Sequence, residues 1–213
     1  MNTEDLIEQL ANAAPPPTRS TAFARLALWI ATGALVTLVL VALLLGLRPD
    51  LDVAMAGGLF WMKLSYTGSL AFMALAGLAV LGRPEARPPR WLWAMLLPVG
   101  ALAVVTIVEA AAMDRNAWMA LWLGETWQAC SVLVFALAIP IGLALIRPLR
   151  AFAPTRLRLT GALAGMAAGS LAAMIYCLHC PEAGAAFVLT WYSLGIATVA
   201  ALGALLGPRL LRW

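Results

Sequence analysis

Long apolar runs separated by short polar connections fill most of the chain. Six can be counted, at roughly residues 26–47, 61–82, 91–113, 127–146, 159–180 and 187–206. Each is near the ~20 residues that carry a helix across a bilayer core. In hydrocarbon a segment must satisfy its own backbone N–H and C=O groups, so each run is expected to be a helix. The expected fold class is all-α, an integral membrane bundle of six transmembrane helices. A different pattern precedes the first run. In residues 3–14, TEDLIEQLANAA, the apolar positions Leu6, Ile7 and Leu10 share one helical face that Ala14 continues. Thr3 suits the N-cap of this short helix, and Glu4 and Asp5 suit the positive end of its dipole. Pro15, Pro16 and Pro17 end it and form a stiff spacer. The expected organisation is therefore residues 1–20 as a cytoplasmic binding segment with its proline spacer, and residues 21–213 as the transmembrane domain.

Composition agrees with this division. Hydrophobic residues make up 63% of the 213 and charged residues 11%, with a mean hydropathy of +0.91. Soluble domains carry about 25% charge, so the six runs belong in lipid. Acidic residues Glu4, Asp5 and Glu8 stand where a cleavable leader has its basic region, so the first run is expected to be an uncleaved anchor.

The placement of arginine orients the chain. Arg19, Arg25, Arg83, Arg87, Arg90, Arg147, Arg150, Arg156, Arg158, Arg209 and Arg212 fall on one set of alternate connections. Only Arg48, Lys63 and Arg115 fall on the other. The positive-inside rule then puts both termini in the cytoplasm, with Lys63 snorkelling at the far interface beside Trp61. The net charge of +4 records topology and not a nucleic-acid surface, because the basic residues flank the spans.

The fifth run, LTGALAGMAAGSLAAMIYCLHC, carries Gly161, Gly165 and Gly169 at four-residue spacing. That spacing lets two helix backbones approach closely, either within the chain or between copies. Cys180 then lies about 20° from Gly169 on the same helical face, with Cys177 and His179 to either side. All three cysteines, Cys130, Cys177 and Cys180, fall at the outer ends of the fourth and fifth spans, with the only histidine, His179, beside them and Glu182 just after. Small apolar packing is one use for such cysteines. The sharper reading is a thiol sensor: Cys130 and Cys180 form a disulfide or take up a soft metal ion, and Cys177 and His179 are candidate additional ligands.

Other chemistry is poorly supported. The sequence Cys177-Leu-His-Cys180 resembles a redox motif only in spacing, since a helix C-terminus opposes thiolate formation. Glu109 lies near the outer end of the third span and is expected to reach water. Pro98 and Pro140 are expected to kink their spans. Nothing predicts an enzyme or a resident cofactor; a soft transition-metal or heavy-metal ion enters only as a signal. A small transporter or metal exporter is the alternative function and a membrane thiol oxidoreductase is a third, but one intramembrane acid is thin support for transport.

Several stretches together resemble the NrsF family of six-span anti-sigma factors. They are MNTEDLIEQLA, GLRPDL, IPIGLALIRPLRAFAPTRL, YCLHCPEAGAAFVLTWYSLGI and the terminal GALLGPRLLRW. The resemblance runs nearly end to end. It implies an inner-membrane protein whose cytoplasmic N-terminal segment, here Glu4, Asp5, Leu6, Ile7 and Leu10, holds an extracytoplasmic-function sigma factor. It also implies that two periplasm-facing cysteines, at the positions of Cys130 and Cys180, respond to heavy-metal or oxidative stress. Cys177 is additional to that pair. The partners so implied are the sigma factor and the bilayer, with no direct nucleic-acid contact.

Overall fold

The computed structural model describes residues 2–13, 19–82, 87–182 and 184–212. Among them every regular element is helical. Helix α1 is Thr3–Ala13, and α2 is Arg19–Leu40, extended by a wide π-helical turn, Val41–Leu45. A short α3, Leu51–Ala56, leads into α4, Gly58–Leu81. A 3-10 turn, Arg90–Met95, opens α5, Leu96–Ala112. Helix α6, Arg115–Leu123, precedes α7, Trp127–Ala151, and α8 is Leu157–Tyr176. The last unit begins with α9, Ala185–Phe187, passes through a second π-helical turn, Val188–Tyr192, and continues as α10, Ser193–Leu210.

Six helical units are long and apolar enough to cross a membrane: Phe23–Leu45, Gly58–Leu81, Arg90–Ala112, Arg115–Ala151, Leu157–Tyr176 and Ala185–Leu210. The bundle is apolar on its outside as well as its inside. Leu43, Phe72, Trp93 and Leu97 are each more than 70% exposed. Such a surface suits lipid and argues for a membrane protein.

The six units are unequally enclosed. α8 is the most buried and packs against α4, α7 and α10, whereas α5 lies almost wholly on the outside. Its glycines explain how α8 occupies the centre. A Cβ on Gly161 would fall far inside van der Waals contact with Gly203 O, and one on Gly165 would do the same at Val199 O. At Gly169 the nearest backbone atom would be Ile196 Cα, at 3.1 Å. Gly203 and Gly207 answer from α10, each facing the α8 backbone. The small-residue face is thus used within the chain, between the fifth and sixth spans. Side-chain bonds pin the remaining seams: Thr37 Oγ1 donates to Leu137 O at 3.1 Å, and Ser131 Oγ donates to Trp191 O at 2.8 Å.

Two local expectations change, at the end of α8 and the start of α1, and two proline positions become defined. Helix α8 ends at Tyr176, not Cys180; Cys180 N–H bonds Tyr176 O across a tight turn at 3.0 Å, and the chain then runs irregularly. Pro98 becomes a first-turn residue of α5, where no intrahelical N–H is needed, because the preceding turn is 3-10. Helix α7 continues through Pro140 and Pro148 to Ala151. At α1 the first helical bond runs from Leu6 N–H to Asn2 O, which makes Asn2 and not Thr3 the capping residue. Leu6 and Ile7 are 40% and 60% exposed, so the described residues leave that apolar face uncovered. The proline spacer, the side chain of Leu10 and Arg83 lie outside what the structure describes.

Candidate functional site

The two ends of the bundle differ in chemistry. At one end α2 begins near Phe23, whose ring lies 6.3 Å from that of Phe152 in the connection after α7. The arginines Arg147, Arg150, Arg156 and Arg158 cluster in sequence about that connection. At the other end the wide turn Val41–Leu45 closes at Gly46, whose φ of +80° is a left-handed conformation that glycine adopts freely. That geometry presents Gly46 O to His179 Nδ1 at 2.9 Å, while Arg48 N–H bonds Leu178 O at 3.1 Å. His179 is thereby engaged with the end of α2, and its ring lies 5.6 Å from that of Tyr176. Arg48 is tied to Asp50 by two bonds of 2.8 and 2.7 Å.

The three cysteines meet at this second end. Cys130 comes from the first turn of α7, Cys177 from the end of α8, and Cys180 from the turn beyond it. All three are free thiols with no solvent exposure. They are not equivalent. The Cys130 and Cys180 thiols lie close together. Cys177 Sγ instead donates to its own helix, at Ala173 O, 3.2 Å away.

Lys63 completes the cluster. It was expected to snorkel to an interface, but it is 1% exposed. Its ammonium donates to Cys180 O at 3.1 Å and to Glu182 O at 2.6 Å, and lies 6.0 Å from the centre of the Tyr192 ring. It is the only lysine in the chain. An ammonium is compact and offers three rotatable donors, which suits two carbonyls on one short strand better than a planar guanidinium would. Tyr192, fully buried, comes from the second π-helical turn. Its hydroxyl has no hydrogen-bonding partner among the described residues and lies beside the sulfurs of Cys177 and Cys180. Wide helical turns of this kind often occur at functional sites, because the extra residue per turn redirects a side chain.

These neighbours separate the thiols chemically. The neighbouring Cys130, then the nearby Lys63 charge, the Tyr192 hydroxyl and the Glu182 N–H, draw the Cys180 thiol below its ordinary value against the opposing effect of burial. Burial dominates at Cys177 and pushes it up to about 11. Helix-end charge was expected to disfavour a thiolate at Cys180, on the reading that the helix reached it. That residue has left the helix, and a buried cation stands beside it. The thiolate is the reactive form. Alkylation by a small neutral reagent at pH 7 is therefore expected to modify Cys180 before Cys177. Cys180 should also begin to react at lower pH than Cys177, whose thiol is held up by burial. Peptide mass spectrometry of a labelling time course checks the order.

Two carboxylates frame the site by capping helices other than their own. Glu182 Oε1 accepts from Glu125 N–H at 2.8 Å, Thr126 N–H at 3.2 Å and Thr126 Oγ1 at 3.3 Å. It thereby closes the start of α7, which has no cap from its own Thr126 side chain. The turn before it depends on Gly124, at φ +59°, over which the Glu182 carboxylate sits; a Cβ there would lie 2.7 Å from it. Glu109 was expected to reach water. It is half-buried, and its Oε2 accepts the Ala185 N–H at 3.0 Å, which caps α9. Around this frame, Trp118 stacks on Trp122 at 6.1 Å, and Trp122 and Trp127 both meet Trp191.

The cysteines were legible as a group, but Lys63, Tyr192 and the two capping roles were not. A signal for Lys63 existed. Lys63, Tyr66 and Thr67 lie at i, i+3 and i+4, a polar stripe that has to face the bundle interior if the run crosses lipid.

Among the described residues no group of three or more His, Cys, Asp or Glu is arranged to hold a metal ion. The Cys130–Cys180 pair offers two sulfur donors, with a positive charge already at hand.

The fold and site together define a helical bundle of six membrane-length units with a buried thiol–ammonium cluster at one end. The chain belongs to the NrsF family, negative regulator of sigma F, which it matches over residues 10–213. It is 42% identical over its full length, and over the full length of the relative, to a probable anti-sigma-F factor NrsF from Azospira oryzae. It is 37% identical, again over the whole of both chains, to the anti-sigma-F factor NrsF of Caulobacter vibrioides. No solved structure matches it. The family is one of anti-sigma factors, regulatory and not catalytic.

Proposed function

We propose that this protein is a membrane-bound anti-sigma factor of the bacterial inner membrane with both termini in the cytoplasm. It holds an extracytoplasmic-function sigma factor through its N-terminal segment and releases it when Cys130 and Cys180, facing the periplasm, meet a heavy metal or an oxidant. The observation that carries the reading is the contact between two buried free thiols at the end of the bundle remote from the root of the N-terminal segment. The helical unit Phe23–Leu45 separates those ends by roughly 35 Å at 1.5 Å per residue. A ligand at one end and a protein at the other can then be linked only through the packing of the helices.

For the partner, α1 supplies Glu4 and Asp5 beside the uncovered Leu6 and Ile7. An acidic helix with an exposed aliphatic face suits a basic groove with an apolar floor. Sigma factors present basic surface to DNA, so this helix competes for it. For the signal, a soft divalent ion would displace a proton from any protonated thiol and bond both sulfurs. Cys177 keeps to its helix carbonyl, and His179 to Gly46, in the state described.

Deleting residues 1–14 is expected to free the sigma factor while the protein remains inserted. Co-purification of the sigma factor with full-length and truncated protein from membranes measures this, and full retention by the truncated form would refute the binding assignment. Cys130→Ser and Cys180→Ser should each blunt release by cadmium at least fivefold in a sigma-dependent reporter. Cys177→Ser should leave most of the response intact. Unchanged responses in both of the first two variants would remove the sensor.

A further inference from the structure

Lys63 has no assigned role, and its surroundings are unusual for one that merely packs. It is the sole lysine, it is buried, and both of its hydrogen bonds end on the backbone of residues 180–182. Those residues form the irregular strand directly after α8. Cys180 contributes its sulfur to the thiol pair and its carbonyl to Lys63. Glu182 contributes its carbonyl to Lys63 and its carboxylate to the start of α7, the turn that carries Cys130. One short strand therefore connects both sulfurs to α4.

At its other end α4 meets the root of the N-terminal segment. The α4 chain terminates at Gly82, where a Cβ would lie 3.3 Å from the Phe152 ring. Phe152 in turn pairs with Phe23 at the start of the first membrane-length helix. A helix transmits a displacement along its axis with little loss, because its hydrogen bonds are all internal. A buried ammonium that loses one carbonyl must find another acceptor or water, so the contact has two distinct states and no soft intermediate.

We propose that Lys63 is the relay from the thiol pair to α4. It grips the 180–182 strand at rest and is released when a soft cation draws the Cys130 and Cys180 sulfurs onto itself, since that cation repels the ammonium and re-aims the Cys180 carbonyl. The freed α4 then shifts against Phe152 and Phe23 and alters the display of the N-terminal segment. The proposal rests on the reading of Cys130 and Cys180 as the sensor. Lys63 is a positioning residue and binds no metal itself.

The single lysine makes a direct test possible. Full-length protein in membrane vesicles is treated with a small acylating reagent, with and without cadmium ion, and modification at Lys63 is read by peptide mass spectrometry. Thiol protection from alkylation is read in the same samples. Cadmium is expected to protect Cys130 and Cys180 and to raise Lys63 acylation at least fivefold, and Cys130→Ser or Cys180→Ser should abolish the rise. Thiol protection without a rise at Lys63 would overturn the relay and leave the sensor reading intact. Absence of thiol protection would defeat the sensor reading and the relay with it.

A second measurement fixes the order of action. Lys63→Met keeps the aliphatic stem and removes the charge, so it is expected to release the sigma factor without cadmium, and to do so also when combined with Cys130→Ser. Retention of the sigma factor by an inserted Lys63→Met protein would contradict the relay. Where Lys63→Met does not accumulate in the membrane, the acylation result on the unaltered protein decides.

Discussion

Gly165→Leu is expected to prevent accumulation of the folded protein, and even Gly165→Ala should cost roughly 3 kcal/mol, near the upper end of what overpacking a core usually costs. A Cβ at this position would meet Val199 O and lie 2.8 Å from Ala200 Cα, and both are backbone atoms of the facing helix. A side chain can rotate away from an intruding methyl group, but a helix backbone can yield only by moving the whole helix. The neighbouring Gly161 is blocked by Gly203 O in the same way, so separating α8 and α10 at one point disturbs the seam along its length. Because α8 also packs on α4 and α7, the loss spreads to the centre of the bundle. Gly100 is the control. Nothing lies within 4 Å of a Cβ built there, and Gly100→Ala in helix α5 should be neutral or stabilise by up to about 1 kcal/mol. Thermal unfolding in detergent, followed by tryptophan fluorescence, should show Gly165→Ala melting about 6–12 °C below the parent, with Gly100→Ala at or above it.

What the residue pattern conveyed and what it withheld follow from the range of the interactions involved. The six runs and α1 depend on composition and local periodicity, and a helix stands at each of them, although α7 runs on past the fourth run to Ala151. The grouping of the cysteines at one end also follows from local position once the helices alternate in direction. The glycine repeat marked a close approach, but not the partner, because complementarity to Gly203 and Gly207 is a property of two helices together. The end of α8 at Tyr176 was hidden because Cys177, Leu178 and His179 are tolerable helix formers; the tertiary bonds of Arg48 and His179 to this segment hold it in another path. Lys63 was misread for a related reason. Proximity to Trp61 suggested an interface, and its true acceptors are main-chain carbonyls more than a hundred residues away. Carbonyl acceptors leave no residue-type signature. Glu109 and Glu182 were visible as acids but not as caps, because each closes a helix other than its own.

Glu182→Ala should loosen the start of α7 and expose the Cys130 thiol, at a cost of about 2 kcal/mol. The carboxylate receives three bonds, from Glu125 N–H, Thr126 N–H and the Thr126 hydroxyl, and the Thr126 amide is among those a helix start leaves without an internal partner. Its negative charge also lies at the positive end of the α7 dipole, which adds to the loss. Alanine removes all three bonds, and the short connection before Glu125 depends on Gly124 and offers no substitute. Glutamine keeps an oxygen acceptor without the charge, so Glu182→Gln should lose about half as much. Amide exchange separates this effect from general destabilisation: the Glu125 and Thr126 amides should exchange much faster in Glu182→Ala, while those in the middle of α7 change little. Cys130 follows them, because its own N–H bonds Thr126 O at 3.0 Å and shares the turn that the carboxylate closes. Alkylation of Cys130 should rise severalfold in Glu182→Ala, whereas Cys177, held on α8 by its bond to Ala173 O, should keep the parent rate. Equal acceleration at both thiols would mean that the bundle had opened as a whole and that Glu182 does not set the register of the thiol pair.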